Sequence, residues 1–159
     1  FPLNILPIVV MGQALFHAAM SVAVLAVFML AALGELPWTI VFLPLLILPL
    51  VLLVLGMTWA LSALGVYFRD IQHGIGILVS ALLFLSPIFY PVSALPASIQ
   101  PWIFINPMAF IIEQVRAVLI WGSMPEWGGL AVYAGISVVV AWLGFSTFER
   151  AKRGFADVL

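Results

Sequence analysis

Apolar residues run through this chain in long blocks, and the polar residues fall at the joints between them. Residues 5–33, 38–67, 74–90 and 129–148 are almost continuously hydrophobic. A helix rises about 1.5 Å per residue, so roughly 20 apolar residues cross the hydrocarbon core of a bilayer. The pattern predicts four membrane-spanning helices, the first two long enough to tilt and the third the shortest. Pro7 falls in the first turn of the first span, where proline is tolerated. Pro44 and Pro49 fall in the first half of the second; prolines there free backbone carbonyls for neighbouring helices to satisfy, so a kink is expected.

The joints differ from one another. Gly34-Glu35-Leu36-Pro37 is a short turn, whereas residues 68–73 form a polar elbow built on the adjacent charges Arg69 and Asp70. At its far end the third span breaks in a proline-bracketed aromatic knot, Ser86-Pro87-Ile88-Phe89-Tyr90-Pro91. Residues 92–128 have their own character, with Pro96, Pro101, Pro107 and Pro125 inside them. Asn106-Pro107 reads as a helix start, Asn as N-cap and Pro at the first helical position. The stretch 108–121 is apolar except for Glu113, Gln114 and Arg116, and Gly122 suits its stop. That helix is too short to span, so it is expected to be re-entrant or interfacial, preceded by a shorter one near 97–104. The fold class expected is an all-α membrane protein: four transmembrane helices and two short outer helices in a single transmembrane domain over residues 1–159.

Composition strengthens this picture. The chain is 66% hydrophobic and 7% charged, with a mean hydropathy of +1.32, whereas about a quarter of residues in an average soluble domain are charged. The apolar excess must face lipid. A net charge of −1 without any basic run gives no electrostatic footprint for nucleic acid. The chain opens at Phe1 and enters an apolar run too long for a signal-peptide core, with no basic residues before it. It is therefore read as a fragment lacking an N-terminal part. Arg69, Arg150, Lys152 and Arg153 fall on one side of the predicted membrane and only Arg116 on the other. By the positive-inside rule the elbow, the tail and Phe1 are cytoplasmic. Trp38, Trp102, Trp121 and Trp127 then gather at the outer surface, as an aromatic belt would place them.

Enzyme chemistry finds little footing. The sole lysine, Lys152, lies between Ala151 and Arg153, so no phosphate-cradling Gly-Lys-Ser/Thr loop exists. Two distant histidines and no cysteine give no metal site. Neither a nucleophile elbow nor a clear acid/base pair is present. If the chain drives uphill transport, its energy comes from a partner.

The strings VYFRDI and SPIFYP, the Asn106-Pro107 helix start and the tail Arg153-Gly154-Phe155-Ala156-Asp157 together resemble the permease subunit of type-2 ABC exporters. The similarity is greatest to the branch that exports O-antigen, capsule or teichoic acid, and it covers essentially the whole chain. The resemblance implies a six-span, multi-pass protein of the bacterial cytoplasmic (inner) membrane, of which this chain would be the last four spans. It further implies a homodimer of permeases working with two ATP-binding subunits. Those subunits hold ATP and Mg, and this chain holds no cofactor of its own. Phe1 and Pro2 resemble the end of one coupling segment and Arg69 and Asp70 the other; Asn106, Pro107, Glu113 and Arg116 lie on helices resembling those that close the outer exit.

Each candidate also has a plainer reading. Arg69 and Asp70 can be a solvated loop pair that anchors orientation, since exposed pairs stabilise by only about 0–1 kcal/mol. Glu113 and Arg116 are at i,i+3 and can pair on their own helix. His17, inside the first span, can be a neutral hydrogen-bonded side chain rather than a proton relay. Trp59, Phe89 and Tyr90 can be packing or belt residues, although flat rings can also stack on sugars along a substrate path with Ser86 and Pro87. The function expected is an ATP-driven exporter subunit for polysaccharide or lipid-linked glycan. The alternatives are an ABC exporter of a drug or lipid, a proton-coupled secondary transporter using His17 or Glu113, and a membrane-embedded glycosyl- or acyltransferase.

Overall fold

The structure, a computed structural model, describes residues 5–68 and 71–152, and among these the regular elements are all helical. Helix α1 is Leu6–Leu33, with Pro7 in its first turn. It stops at Gly34, whose φ of 75° is left-handed and lets its N–H reach the Leu30 carbonyl at 3.1 Å. A 3-10 turn over Trp38–Phe42 leads into α2, Leu43–Tyr67. Of the two prolines expected to interrupt that helix, Pro44 occupies the tolerated first turn and only Pro49 is interior.

Three stretches, Leu6–Leu33, Trp38–Val66 and Trp127–Lys152, are long and apolar enough to cross a membrane. The third expected span differs. Helix α3 is Ile71–Leu85, 15 residues, or about 22 Å at the helical rise, less than a hydrocarbon core of about 30 Å. It starts earlier than expected because nothing in Ile71-Gln72-His73 breaks a helix. It ends earlier because Pro87 has no N–H to offer and Ser86 turns its hydroxyl back to the Leu82 carbonyl at 2.6 Å. Three full-length helices and one shorter apolar helix thus stand where four spans were expected.

Residues 92–126 hold a 3-10 turn over Val92–Ala94, the one-turn helix α4 at Gln100–Ile103, and α5 at Pro107–Leu119. Asn106 caps α5 as its sequence suggested, its side-chain oxygen accepting from the Met108 N–H at 2.9 Å. Helix α6, Trp127–Lys152, runs past the expected 129–148 at both ends. Its last turn is supported by a Lys152–Glu149 pair at 3.6 Å.

Helices α2 and α6 run parallel and in close apposition. Phe42 meets the Trp127 ring edge-on at 5.4 Å, Trp59 meets Phe145 at 5.2 Å, and Ala63 packs with Phe148. Between these pairs Gly56 lies against Ala141 so closely that a Cβ on it would sit 2.6 Å from the Ala141 Cα. Lipid tails are as apolar as leucine, so helix association in a membrane depends on such backbone approach. Helix α5 lies across this pair, with Ile111 and Val118 packed against Leu46 of α2 and Leu130 of α6. By contrast α1 is exposed almost all round, with Val24, Val27 and Phe28 about two-thirds open. A helix apolar on every face belongs in lipid or against other helices.

Candidate functional site

The break at the end of α3 is tied to α5 through side chains that reach backbone atoms. The Asn106 Nδ2 donates to Ser86 Oγ at 2.9 Å and to the Leu82 carbonyl at 3.3 Å. Four residues after Leu82 the helical ladder has ended, so these bonds meet polar groups that a longer helix would have served internally. Arg116, on α5, spans the remaining gap. It donates to the Pro87 carbonyl at 2.6 Å and the Ile88 carbonyl at 3.3 Å, and its other terminal nitrogen pairs with Glu113. Glu113 Oε1 also accepts from the Val92 N–H at 3.2 Å. Both side chains are largely buried. Hydrogen bonds to charged groups contribute on the order of 1.5–3 kcal/mol each. These bonds, rather than helical continuity, fix the course of residues 86–92.

The opposite side of α5 is fastened differently. The Ile111 and Val118 packing is dry, and three hydrogen bonds accompany it, of which the Thr39 bond alone is buried. Thr39 Oγ1 donates to the Val118 carbonyl at 2.6 Å, serving one of the last carbonyls of α5. The Tyr133 hydroxyl donates to the Pro107 carbonyl at 2.9 Å, and Gln114 Oε1 accepts from the Glu126 N–H at 2.8 Å, just before α6 begins. Gly122, with φ 60°, turns the chain from α5 towards α6.

Between α2 and α3 lies a cavity of about 860 Å³, lined by Met57, Leu61, Ile75 and Val79 and closed at one end by Ser86, Ile88 and Pro107. Thr58 and Ser86 also face it, but their hydroxyls donate to the Val54 and Leu82 carbonyls of their own helices at 2.7 and 2.6 Å. The wall is accordingly apolar. A second cavity of about 510 Å³ separates α1 from α2. Val54, Thr58, Ser62 and Val66 line both, which makes this face of α2 the partition between them.

The structure gathers some of the sequence-derived site residues and disperses others. Ser86, Pro87, Asn106, Pro107, Glu113 and Arg116 converge on one junction. Of the remaining substrate-path candidates, Phe89 points outward at 86% exposure, and Tyr90 is half-buried in the segment beyond the break. Trp59 packs on the α6 seam against Phe145 and the Ala63–Phe148 cluster, on a different side of α2 from the residues that line the cavity. Phe1, Pro2, Arg69 and Asp70 lie outside the described residues. His17 is exposed on α1 beside the Phe16 ring.

Sequence reasoning missed Gly56 and Gly144, Thr39, Gln114 and Tyr133. A glycine inside an otherwise unbroken apolar run was the available signal for the first two. The partners of Thr39 and Tyr133 lie 79 and 26 residues away and leave no local trace.

The arrangement offers a jointed apolar helix beside a cavity, braced by a short amphipathic helix. Residues 1–120 match the model of the family described as ABC-2 type transporter. The O-antigen export system permease protein RfbA of Myxococcus xanthus is 29% identical over 160 residues, covering 99% of this chain and 61% of that protein. The protein of the same name from Klebsiella pneumoniae is 26% identical, covering all of this chain and 61% of its own length. The polysialic acid transport protein KpsM of Escherichia coli is 25% identical over 104 residues, 65% of this chain and 40% of that protein. The chain thus spans about 61% of the length of the RfbA relatives. With three apolar helices of spanning length and a match over most of its residues, the chain belongs to the ABC-2 type transporter family of membrane transport subunits.

Proposed function

We propose that this chain forms the membrane conduit portion of an ATP-driven exporter, moving a polysaccharide or lipid-linked glycan out across the bacterial cytoplasmic membrane. The observation that carries the reading is family membership together with relatives named for O-antigen export and polysialic acid transport, two of which align over the whole chain. The chain has no phosphate-binding loop, so an ATP-binding partner with its Mg supplies the energy, and two permease copies frame the path. Membrane lipid surrounds the apolar helices.

The structure supports a division of labour. The α2–α6 pair, closed over Gly56 and braced by α5, is the fixed body. Helix α3, short and bordered by a cavity rather than by interlocked side chains, is the element that moves. Nucleotide binding closes the partner dimer, which presses on the loop before Ile71; α3 shifts as a rod, and the segment 86–92 rearranges to release the glycan.

The test is complementation. The full-length permease, expressed with its cognate ATPase in cells lacking their own polysaccharide permease, should restore surface glycan, and an ATPase unable to hydrolyse ATP should abolish it. Export of a drug or lipid without any glycan, or export that follows a pH gradient and ignores the ATPase, would overturn the proposal.

A further inference from the structure

We propose that Arg116 and Glu113 form a releasable clasp on the end of α3, and that the cavity between α2 and α3 opens to the outer surface only when the clasp lets go of the Pro87 and Ile88 carbonyls. The direction of opening rests on the export reading. The clasp itself rests on the contrast between the two sides of α5.

Towards α2 and α6, α5 is held by interdigitated Ile111, Val118, Leu46 and Leu130. Packing of this kind has no intermediate positions, since parting it leaves an empty gap whose walls forfeit their dispersion attraction. Towards α3, Val92 packs with Ala109 and Ile103 beyond the break, but the other ties are polar: Arg116 to the Pro87 and Ile88 carbonyls at 2.6 and 3.3 Å, Asn106 to Ser86 Oγ at 2.9 Å, and Glu113 from the Val92 N–H at 3.2 Å. At the outer surface water can replace each of these bonds as it breaks, so the polar side can open at a cost that the dry side cannot match. Movement of α3 also meets space rather than a packed wall, because Val79, Leu82 and Ser86 border the cavity.

The residue type fits the task. A guanidinium is a planar fork, and here one terminal nitrogen holds a carboxylate while the other holds two carbonyls. An ammonium offers a single point of attachment and cannot occupy both positions at once. Arg116 therefore acts as a positioning residue for the moving helix, and Glu113 aims it.

The chain has no cysteine, so single reporters placed in it can be read in membranes, in a full-length permease–ATPase complex whose other cysteines have been replaced. Leu53→Cys reports on the cavity wall, and Ser137→Cys, fully buried in α6, reports on the integrity of the fixed body. Labelling uses a membrane-impermeant maleimide applied from outside, without nucleotide. Arg116→Gln should raise the Leu53→Cys labelling rate at least tenfold, Glu113→Gln severalfold, and Arg116→Lys to an intermediate value, with Ser137→Cys protected throughout. A change below twofold in both Arg116→Gln and Glu113→Gln overturns the clasp, as does unmasking of Ser137→Cys in step with Leu53→Cys, which would make the bonds mere structural support. Glycan export is measured in parallel. Normal export with labelling indifferent to position 116 removes the clasp and leaves the export reading standing. The labelling pattern without any glycan export does the reverse.

Discussion

The backbone of Gly144 passes so close to that of Gly56 that a Cβ on residue 144 would lie 2.0 Å from the Gly56 carbonyl oxygen. The obstacle is backbone on both sides, so no side-chain rotation can relieve it. Gly144→Ala and Gly56→Ala should each force α2 and α6 apart. Overpacking typically costs about 1–3 kcal/mol where side chains can give way, and a backbone clash sits at or beyond the top of that range. Gly135 of the same α6 has open space around its position, so Gly135→Ala is the control. Thermal unfolding of the full-length protein in detergent should show a large loss for the first two and little change for the third. Equal melting temperatures for Gly144→Ala and Gly135→Ala would remove the close crossing from the account.

The buried Thr39 hydroxyl serves the Val118 carbonyl near the end of α5. Thr39→Val keeps the shape and deletes the donor, leaving a buried acceptor unmet at a cost of about 1–3 kcal/mol. Thr39→Ser retains the donor and should recover most of that loss. Unfolding curves for the pair, measured side by side, check the ordering.

Basic residues at one end and tryptophans at the other fix the expected orientation. Single cysteines at His73 and Ala151 should react with an impermeant reagent only from the cytoplasmic side, and one at the exposed Ser98 only from outside. The same reactive side for Ser98 and His73 would overturn this topology.

Tyr90 and Pro87 test the outer exit. If Tyr90 stacks on passing sugars, Tyr90→Ala should cut surface glycan per permease several-fold while Tyr90→Phe keeps most of it. Pro87→Ala restores an N–H where α3 now stops and should impair export by lengthening the rod. As a belt residue Tyr90 would tolerate both changes, so wild-type output from Tyr90→Ala and Pro87→Ala together would strike this segment from the mechanism.

Coupling predicts two further outcomes. The full-length permease purified alone should hydrolyse no ATP above background. In the complete exporter, Arg69→Ala and Asp70→Ala should each lower export at matched expression. Full export by both single variants would return the pair to a solvated loop.

The helices were legible because lipid imposes one simple demand, long apolar runs with their backbone bonded internally. That demand made α1, α2 and α6 plain, and Asn106-Pro107 marked the start of α5 to the residue, although the helix stops at Leu119 rather than Trp121. The end of α3 was harder. Ser86-Pro87 announced a break, but which residues would hold it depended on Arg116 reaching 28 and 29 positions back along the chain. The same distance hid the seam. Trp59 looked like a sugar-stacking ring by type, yet its placement follows from the α2–α6 register, set by two glycines 88 positions apart.

The shared direction of α2 and α6 carries an electrostatic consequence. Two aligned helix macrodipoles bring their negative ends together where α2 stops at Tyr67 and α6 at Lys152. Antiparallel neighbours would cancel; parallel ones add. Arg150 and Lys152 occupy the last turn of α6, where a cation typically contributes about 0.3–1 kcal/mol against such a dipole. The cations expected to hold this end of the chain in the cytoplasm thus also neutralise the paired carbonyl ends beside them.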